Sequence, residues 1–116
     1  MAPTIETALS QFRAAAIEKG DFATPAQRDH ALHRQMKGAA EALDAAGDLG
    51  EAAFRTLLED ESAHVRSWAA AELLSRGDPA ARSVLERIAR EAGPIALAAK
   101  MTLGEHRAGH LRSPFA

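Results

Sequence analysis

Val65-Arg66-Ser67-Trp68-Ala69-Ala70-Ala71-Glu72-Leu73-Leu74 is the stretch whose reading decides the fold. Val65, Ala69 and Leu73 recur every four residues, the spacing of one helix face. Ser62 stands in the N-cap position before them, and Gly77 stands where a helix stops. The same pattern returns 30 residues later: Phe54 aligns with Val84, Leu58 with Ile88, Glu61 with Glu91, Val65 with Ile95, Ala69 with Ala99 and Leu73 with Leu103. Each copy reads as a helix, a short turn and a second helix. Small Ala residues let the second helix approach its neighbours closely, and the larger apolar residues around them seal the pair.

Outward from this stretch the whole chain reads as helix. A first helix follows Pro3 with Thr4 as N-cap, carries Ile5, Leu9, Phe12 and Ala16, and ends near Gly20. Thr24, Pro25 and Gln27 read as a capping box with Pro at the first helical position. The second helix then runs to about Ala46 with Leu32, Met36, Ala39, Leu43 and Ala46 as its apolar stripe, and Gly47 stops it. Asp48 with Glu51 resembles another capping box, before a third helix with Ala53, Phe54, Leu57 and Leu58. Asp78-Pro79 opens a fifth helix (Val84, Leu85, Ile88, Ala89). Gly93-Pro94 opens a sixth (Ile95, Leu97, Ala98, Ala99, Met101, Leu103), and Gly109 ends it. No segment alternates with period two over a useful length. The connections are short, so sequential helices are expected to pack antiparallel. The expected core is Phe54, Leu58, Val65, Ala69, Leu73, Val84, Ile88, Ala99 and Leu103.

Composition agrees with this class. The 116 residues fit one domain, and 4% aromatic content with no Tyr implies a core of Ala, Leu, Ile, Val, Met and a few Phe. The formal charge of −2 argues against nucleic acid or an anionic membrane as a bulk electrostatic target. The charge is uneven: residues 1–78 hold 8 basic against 13 acidic side chains, and residues 79–116 hold 6 against 3. Cys is absent, which excludes disulfides, Cys-based zinc sites and thiol nucleophiles. No apolar run reaches the length of a membrane span, and no signal peptide is read, so a cytoplasmic address is expected.

Val65-Arg66 with Ala69-Ala70 and Leu73 gives the Val-Arg-x-x-Ala-Ala-x-x-Leu signature of HEAT repeats. That stretch, with Asp78-Pro79-Ala80-Ala81-Arg82-Ser83-Val84-Leu85 and the ending Ala99-Lys100-Met101-Thr102-Leu103-Gly104-Glu105-His106-Arg107-Ala108-Gly109, resembles the bacterial domain-of-unknown-function family numbered twenty-nineteen. The resemblance covers residues 50–110 well and the first 45 in layout; the family often has Trp where His106 stands. It implies a HEAT/armadillo-like fold and a bacterial source, and it brings no catalytic residues. The expectation is an all-α chain of antiparallel helical hairpins stacked as a short HEAT-like (armadillo-type) solenoid of about six helices. Its parts are an N-terminal hairpin at 1–47, HEAT-like hairpins at 48–78 and 79–109, and a tail at 110–116.

Chemistry-bearing residues are few. His106 and His110 stand at i, i+4, as in zinc-binding helices, but Arg107 holds the place of the general-base Glu and Gly109 ends the helix before His110. No metal or cofactor is expected. His30, His33, Arg34 and Lys37 lie at i, i+3, i+4 and i+7 on the second helix, and two readings stand: a face for an anion or acidic partner, or a solvated outer face that Glu41 partly neutralises. Trp68, the one Trp, is either an interface anchor or, as its phase favours, the edge of the core. Arg66 reads as structural, bonding between repeats. The Glu59-Asp60-Glu61 run suits the N-terminus of the following helix.

These readings point to binding rather than catalysis. The first expectation is a protein–protein interaction or adaptor module with an unidentified protein partner. An immunity or antitoxin-type inhibitor of one toxin is the alternative within that class. A helical-repeat protein acting on nucleic acid is the rival from another class, and the negative total charge opposes it. The open face of the sixth helix, Leu97 and Met101, is the other candidate partner surface. Residues 110–116 are expected to fold back and lay Leu111 and Phe115 on those two side chains.

Overall fold

The structure, a computed structural model, describes residues 3–116. Among these the chain forms six α-helices and no strand: α1 (Ile5–Lys19), α2 (Ala26–Ala45), α3 (Gly47–Arg55), α4 (Ala63–Ser75), α5 (Pro79–Ala89) and α6 (Pro94–Arg107), with a 3-10 turn at Thr56–Glu59 after α3. The fold is all-α, as the periodicity predicts. The helices gather into two compact units that divide between Leu57 and Leu58, with Phe115 counted in the first. That division falls inside residues 48–78, which the sequence reads as one hairpin.

In the first unit, α1 begins at Thr4, whose Oγ1 accepts the Thr7 amide at 3.1 Å. Its apolar residues Ala8, Phe12, Ala15 and Ala16 repeat at i, i+4, i+7 and i+8 and are all buried. The opposing stripe of α2 is Leu32, Met36, Ala39, Ala40 and Leu43. The two helices run antiparallel, because residues 18 and 19 meet 28 and 29 while Gln35 Nε2 reaches the Gln11 carbonyl at 2.9 Å. The Ala-rich faces permit the close approach, and each fully buried Leu or Phe contributes roughly 1.5–3 kcal/mol. The Thr24 capping box does not form. α2 starts one residue later, with Pro25 as an N-cap that has no side-chain bond, and the Thr24 hydroxyl donates instead to the Glu18 carbonyl at the end of α1 (3.1 Å). That carbonyl also accepts the Asp21 amide at 3.1 Å, so the hydroxyl adds a second bond at the C-terminus of α1.

The turn into α3 takes one residue in the left-handed region, Gly47 at φ +70°. The Asp48–Glu51 capping box is not formed either, since Asp48 already lies in the first turn of α3. Gly50 sets how α3 leaves α2. A Cβ there would stand 1.8 Å from the Leu43 carbonyl oxygen, so the two helix backbones touch where the side chain is missing. α3 packs on α2 and α1 and contributes Phe54, whose ring meets Phe12 edge-on at 5.2 Å.

In the second unit, Ser62 caps α4 as expected: its Oγ accepts the Val65 amide at 3.4 Å, and its own amide donates to Asp60 Oδ2 at 2.9 Å. Arg66 donates to the carbonyls of Asp60 (2.7 Å) and Glu61 (3.2 Å). It is structural, but it ties down its own entry turn. α4 is packed by both α5 and α6, and it buries Val65, Ala69, Ala70, Glu72, Leu73 and Leu74. It ends in a Schellman motif: Gly77 (φ +89°) donates to Leu74 and Asp78 donates to Leu73. Asp78 then caps α5 by accepting the Ala80 amide at 3.0 Å, with Pro79 at the first position, so three residues both stop one helix and start the next. α5 buries Ala81, Val84, Leu85 and Ile88. α6 buries Ala96 and Ala99, while Ile95 and Leu103 are half-buried. Leu103 therefore sits at the margin of the core rather than inside it.

Candidate functional site

The polar stripe on α2 is split by the fold. His30, Arg34 and Lys37 are exposed, but His33 is half-buried and its ring lies 5.3 Å from that of Phe115, tilted by 44°. The reason is phase. His33, Met36 and Ala40 fall at i, i+3 and i+7, so His33 borders the buried stripe, a signal the spacing already carried. Arg34 edges a shallow hollow of about 510 Å³ with Gln11, Gln35 and Gly38. The cationic face is thus His30, Arg34 and Lys37, with exposed Glu41 one turn further on.

Leu97 and Met101 of α6 form the other candidate surface. They are 59% and 60% exposed, one turn apart, and Lys100 and Glu105 stand exposed near them. The expected cap over them is not there. Phe115 is 6% exposed and packs edge-on to Phe12 with ring centroids 5.8 Å apart, and Leu111 is half-buried. The aromatic cluster of Phe12 and Phe54 offers an edge-to-face partner that the thioether and Leu of α6 do not.

Three further apolar side chains are exposed that sequence reasoning did not single out: Phe22 (88%), Leu49 and Ile17. Phe22 sits in the turn between α1 and α2, and Leu49 beside the buried Gly50, outside any stripe.

Glu72 is the one buried charged residue among the described residues. Its Oε2 accepts from Arg76 Nε at 2.8 Å, and its Oε1 accepts from the Ser113 hydroxyl. It lies seven residues after Val65 on the same face, a signal that the sequence reading did not use. On the surface of the first unit, Arg28 donates twice to Glu18, at 2.6 and 2.9 Å. That hydrogen bond holds the Glu18 carboxyl below its ordinary range and raises Arg28. Lys19 pairs with Asp29 at 2.9 Å.

His106 stays in the last turn of α6, and His110 lies beyond Gly109 (φ +77°), its amide donating to Glu105 at 2.9 Å. No group of three or more His, Asp or Glu able to hold a metal is found among the described residues. Trp68 is half-buried, at the edge of the core as its phase indicates. The second unit has a groove of about 470 Å³ whose floor is Leu58, Val84 and Ile88 and whose rim includes Asp60, Arg87 and Glu91. Among the described residues no helix is long and apolar enough to cross a membrane. No family model, no curated protein and no solved structure matches the chain.

Proposed function

We propose that the chain is a protein–protein interaction module of HEAT/armadillo-like character, acting in the bacterial cytoplasm, and that the outward face of α6 carries its partner contact. The observation that supports this is the Leu97–Met101 pair, two large apolar side chains more than half exposed on one helix face. Exposed apolar groups at i, i+4 suit docking of another protein's apolar surface, with Lys100 and Glu105 as a polar rim. Buried Glu72 is bonded to Arg76 and Ser113, and Arg66 to its own turn, so these groups support packing rather than catalysis. The test is affinity capture from the source cell with three baits: the unmodified chain, L97D/M101D, and H30E/R34E/K37E. A protein retained by the first and third baits and lost from the second supports the reading. Capture that survives L97D/M101D and fails with H30E/R34E/K37E moves the contact to α2 and overturns it.

A further inference from the structure

α6 carries a second seam, opposite the one that packs. Ala96 and Ala99 are buried on the side that rests on α5 and α4. On the outward side Leu97, Met101, Gly104 and the C-cap Ala108 follow at spacings of four, three and four, the heptad spacing of a helix–helix seam. Its first half is large, with Leu97 and Met101 59% and 60% exposed. Its second half is small. Ala108 is exposed, and a Cβ at Gly104 would meet nothing within 4 Å, so the helix surface steps down there into open solvent. The flanks of the seam are charged. Taking about 100° per residue, Lys100 and Arg107 lie roughly 60–80° to one side of Leu97, and Glu105 lies about 80° to the other. All three are exposed, and among the described residues none of these side chains makes an ion pair or a hydrogen bond. Glu105 stands on the opposite flank from both cations, so α6 does not neutralise them itself.

We infer that this seam docks one amphipathic helix of a different protein, with large apolar side chains along its stripe, carboxylates on the flank that meets Lys100 and Arg107, and a Lys or Arg on the flank that meets Glu105. The inference rests on the α6 reading above and names the chemistry of its partner. A heptad seam on a straight helix matches another helix laid along it, and the step at Gly104 and Ala108 gives room for the partner's large side chains. The three open charges then gain opposite charges on both sides, which sets the direction in which the partner lies and rejects helices of the wrong pattern. A second copy of α6 fits this seam poorly in either direction. Parallel and in register, it sets Gly104 against Gly104 and leaves the step unfilled. Antiparallel, with Leu97 over Ala108 and Met101 over Gly104, each flank meets its own counterpart, and Lys100 of one copy comes beside Arg107 of the other.

The probes are two synthetic amphipathic helices with the same Leu stripe. The first carries Glu on one flank and Lys on the other; the second carries Lys on both. Each is titrated into the full chain, and the methyl signals of Leu97 and Met101 report occupancy by NMR. The unmodified chain is expected to bind the first probe more tightly, by roughly threefold to tenfold for a few exposed ion pairs. K100E/R107E makes both flanks of the seam acidic and is expected to reverse that order. L97D/M101D is expected to bind neither probe. No saturable shift of the unmodified chain at millimolar probe overturns the proposal. So does a preference that K100E/R107E leaves unchanged, and so does binding that survives L97D/M101D. If L97D/M101D does not fold, the reversal in K100E/R107E decides, since it changes only exposed side chains. Sedimentation of the unmodified chain alone checks the remaining occupant: a monomer is expected, and a dimer that K100E/R107E strengthens or weakens gives the seam to a second copy and overturns the proposal. The two readings fail separately. Affinity capture lost with L97D/M101D, together with no preference between the probes, keeps the contact on α6 and removes the partner helix.

Discussion

In α4, Val65, Ala69 and Leu73 are sealed from solvent; in α6, which carries the same pattern 30 residues on, Ala99 is sealed while Ile95 and Leu103 are half-buried. The two helices are 13 and 14 residues long and share small residues and a left-handed Gly stop at Gly77 and Gly109. They differ in how much of their surface is covered. α4 is packed by α5 and α6 and buries a second face through Ala70 and Leu74, whereas α6 rests on α5 and α4 and turns Leu97 and Met101 outward. A periodic pattern chooses the helix and its phase. The pattern alone does not set how far that phase is buried, and burial decides what a mutation costs.

The widest gap is expected at the paired leucines. Leu73→Ala removes a fully buried side chain and is expected to cost roughly 2–5 kcal/mol, because the cavity adds to the lost transfer energy. Leu103→Ala, at the margin, is expected to cost about 1 kcal/mol, in the usual range for a partly exposed site. Urea unfolding of the two variants measures this. Equal losses break the comparison and make α6 as buried as α4.

Overpacking is expected next. Ala69 has no exposed surface, so Ala69→Leu forces its neighbours apart at roughly 1–3 kcal/mol. Ala63, half-buried in the first turn of α4, tolerates Leu with little change. Equal melting temperatures contradict the register that aligns Ala69 with Ala99.

Position 72 separates the helices by chemistry. Glu72 aligns with Thr102, whose hydroxyl bonds the Ala98 carbonyl of its own helix at 3.0 Å. Glu72→Ala leaves Arg76 and Ser113 without their shared acceptor and is expected to cost about 1–3 kcal/mol. Glu72→Gln keeps an acceptor and should lose less, and Thr102→Ala should be close to neutral. A thermal melt in which Glu72→Ala matches Thr102→Ala removes the Glu72 cluster as an anchor of the second unit.

Local punctuation made the helices legible: Thr4, Ser62, Asp78-Pro79, Gly93-Pro94 and Gly109 each act within one turn of themselves. Thr24 did not become the cap because α2 starts one residue later, and its hydroxyl donates to the Glu18 carbonyl, a partner that no short motif encodes. Gly50 and Phe115 were illegible for a different reason. A missing Cβ has meaning only once the Leu43 carbonyl is beside it, and a Phe after Pro114 does not say which aromatic cluster it will join. His33 and Glu72 lay between these cases. Both stand on buried faces by simple counting, but residue type invited a surface reading of one and drew attention from the other. The exposed Leu97–Met101 face was legible because its phase opposes Ile95 and Ala99.

The smallest expected effect concerns a second Glu–Arg pair, which sharpens the contrast with Glu72–Arg76. Glu18 and Arg28 sit in the open, and solvent and salt screen them. The hydrogen bond from Arg28, aided by its charge, lowers the Glu18 pKa in the folded chain. A lowered carboxylate contributes stability that is present above its unfolded value and is lost as pH falls through the folded one. The pair therefore adds a little at neutral pH and nothing in strong acid, with the change confined to the low end of the carboxylate range. In Arg28→Ala the Glu18 carboxyl, followed by carbon NMR, is expected to titrate at the ordinary carboxylate value. Molar salt should move the unmodified chain part of the way there, since it screens the charge but leaves the hydrogen bond. The melting temperature at pH 7 should barely move, because an exposed pair constrains two long side chains for small gain. A Glu18 midpoint that stays low in Arg28→Ala would show that some other group than Arg28 holds it. A large loss of stability would place the pair with Glu72–Arg76 as a packing element rather than a surface one.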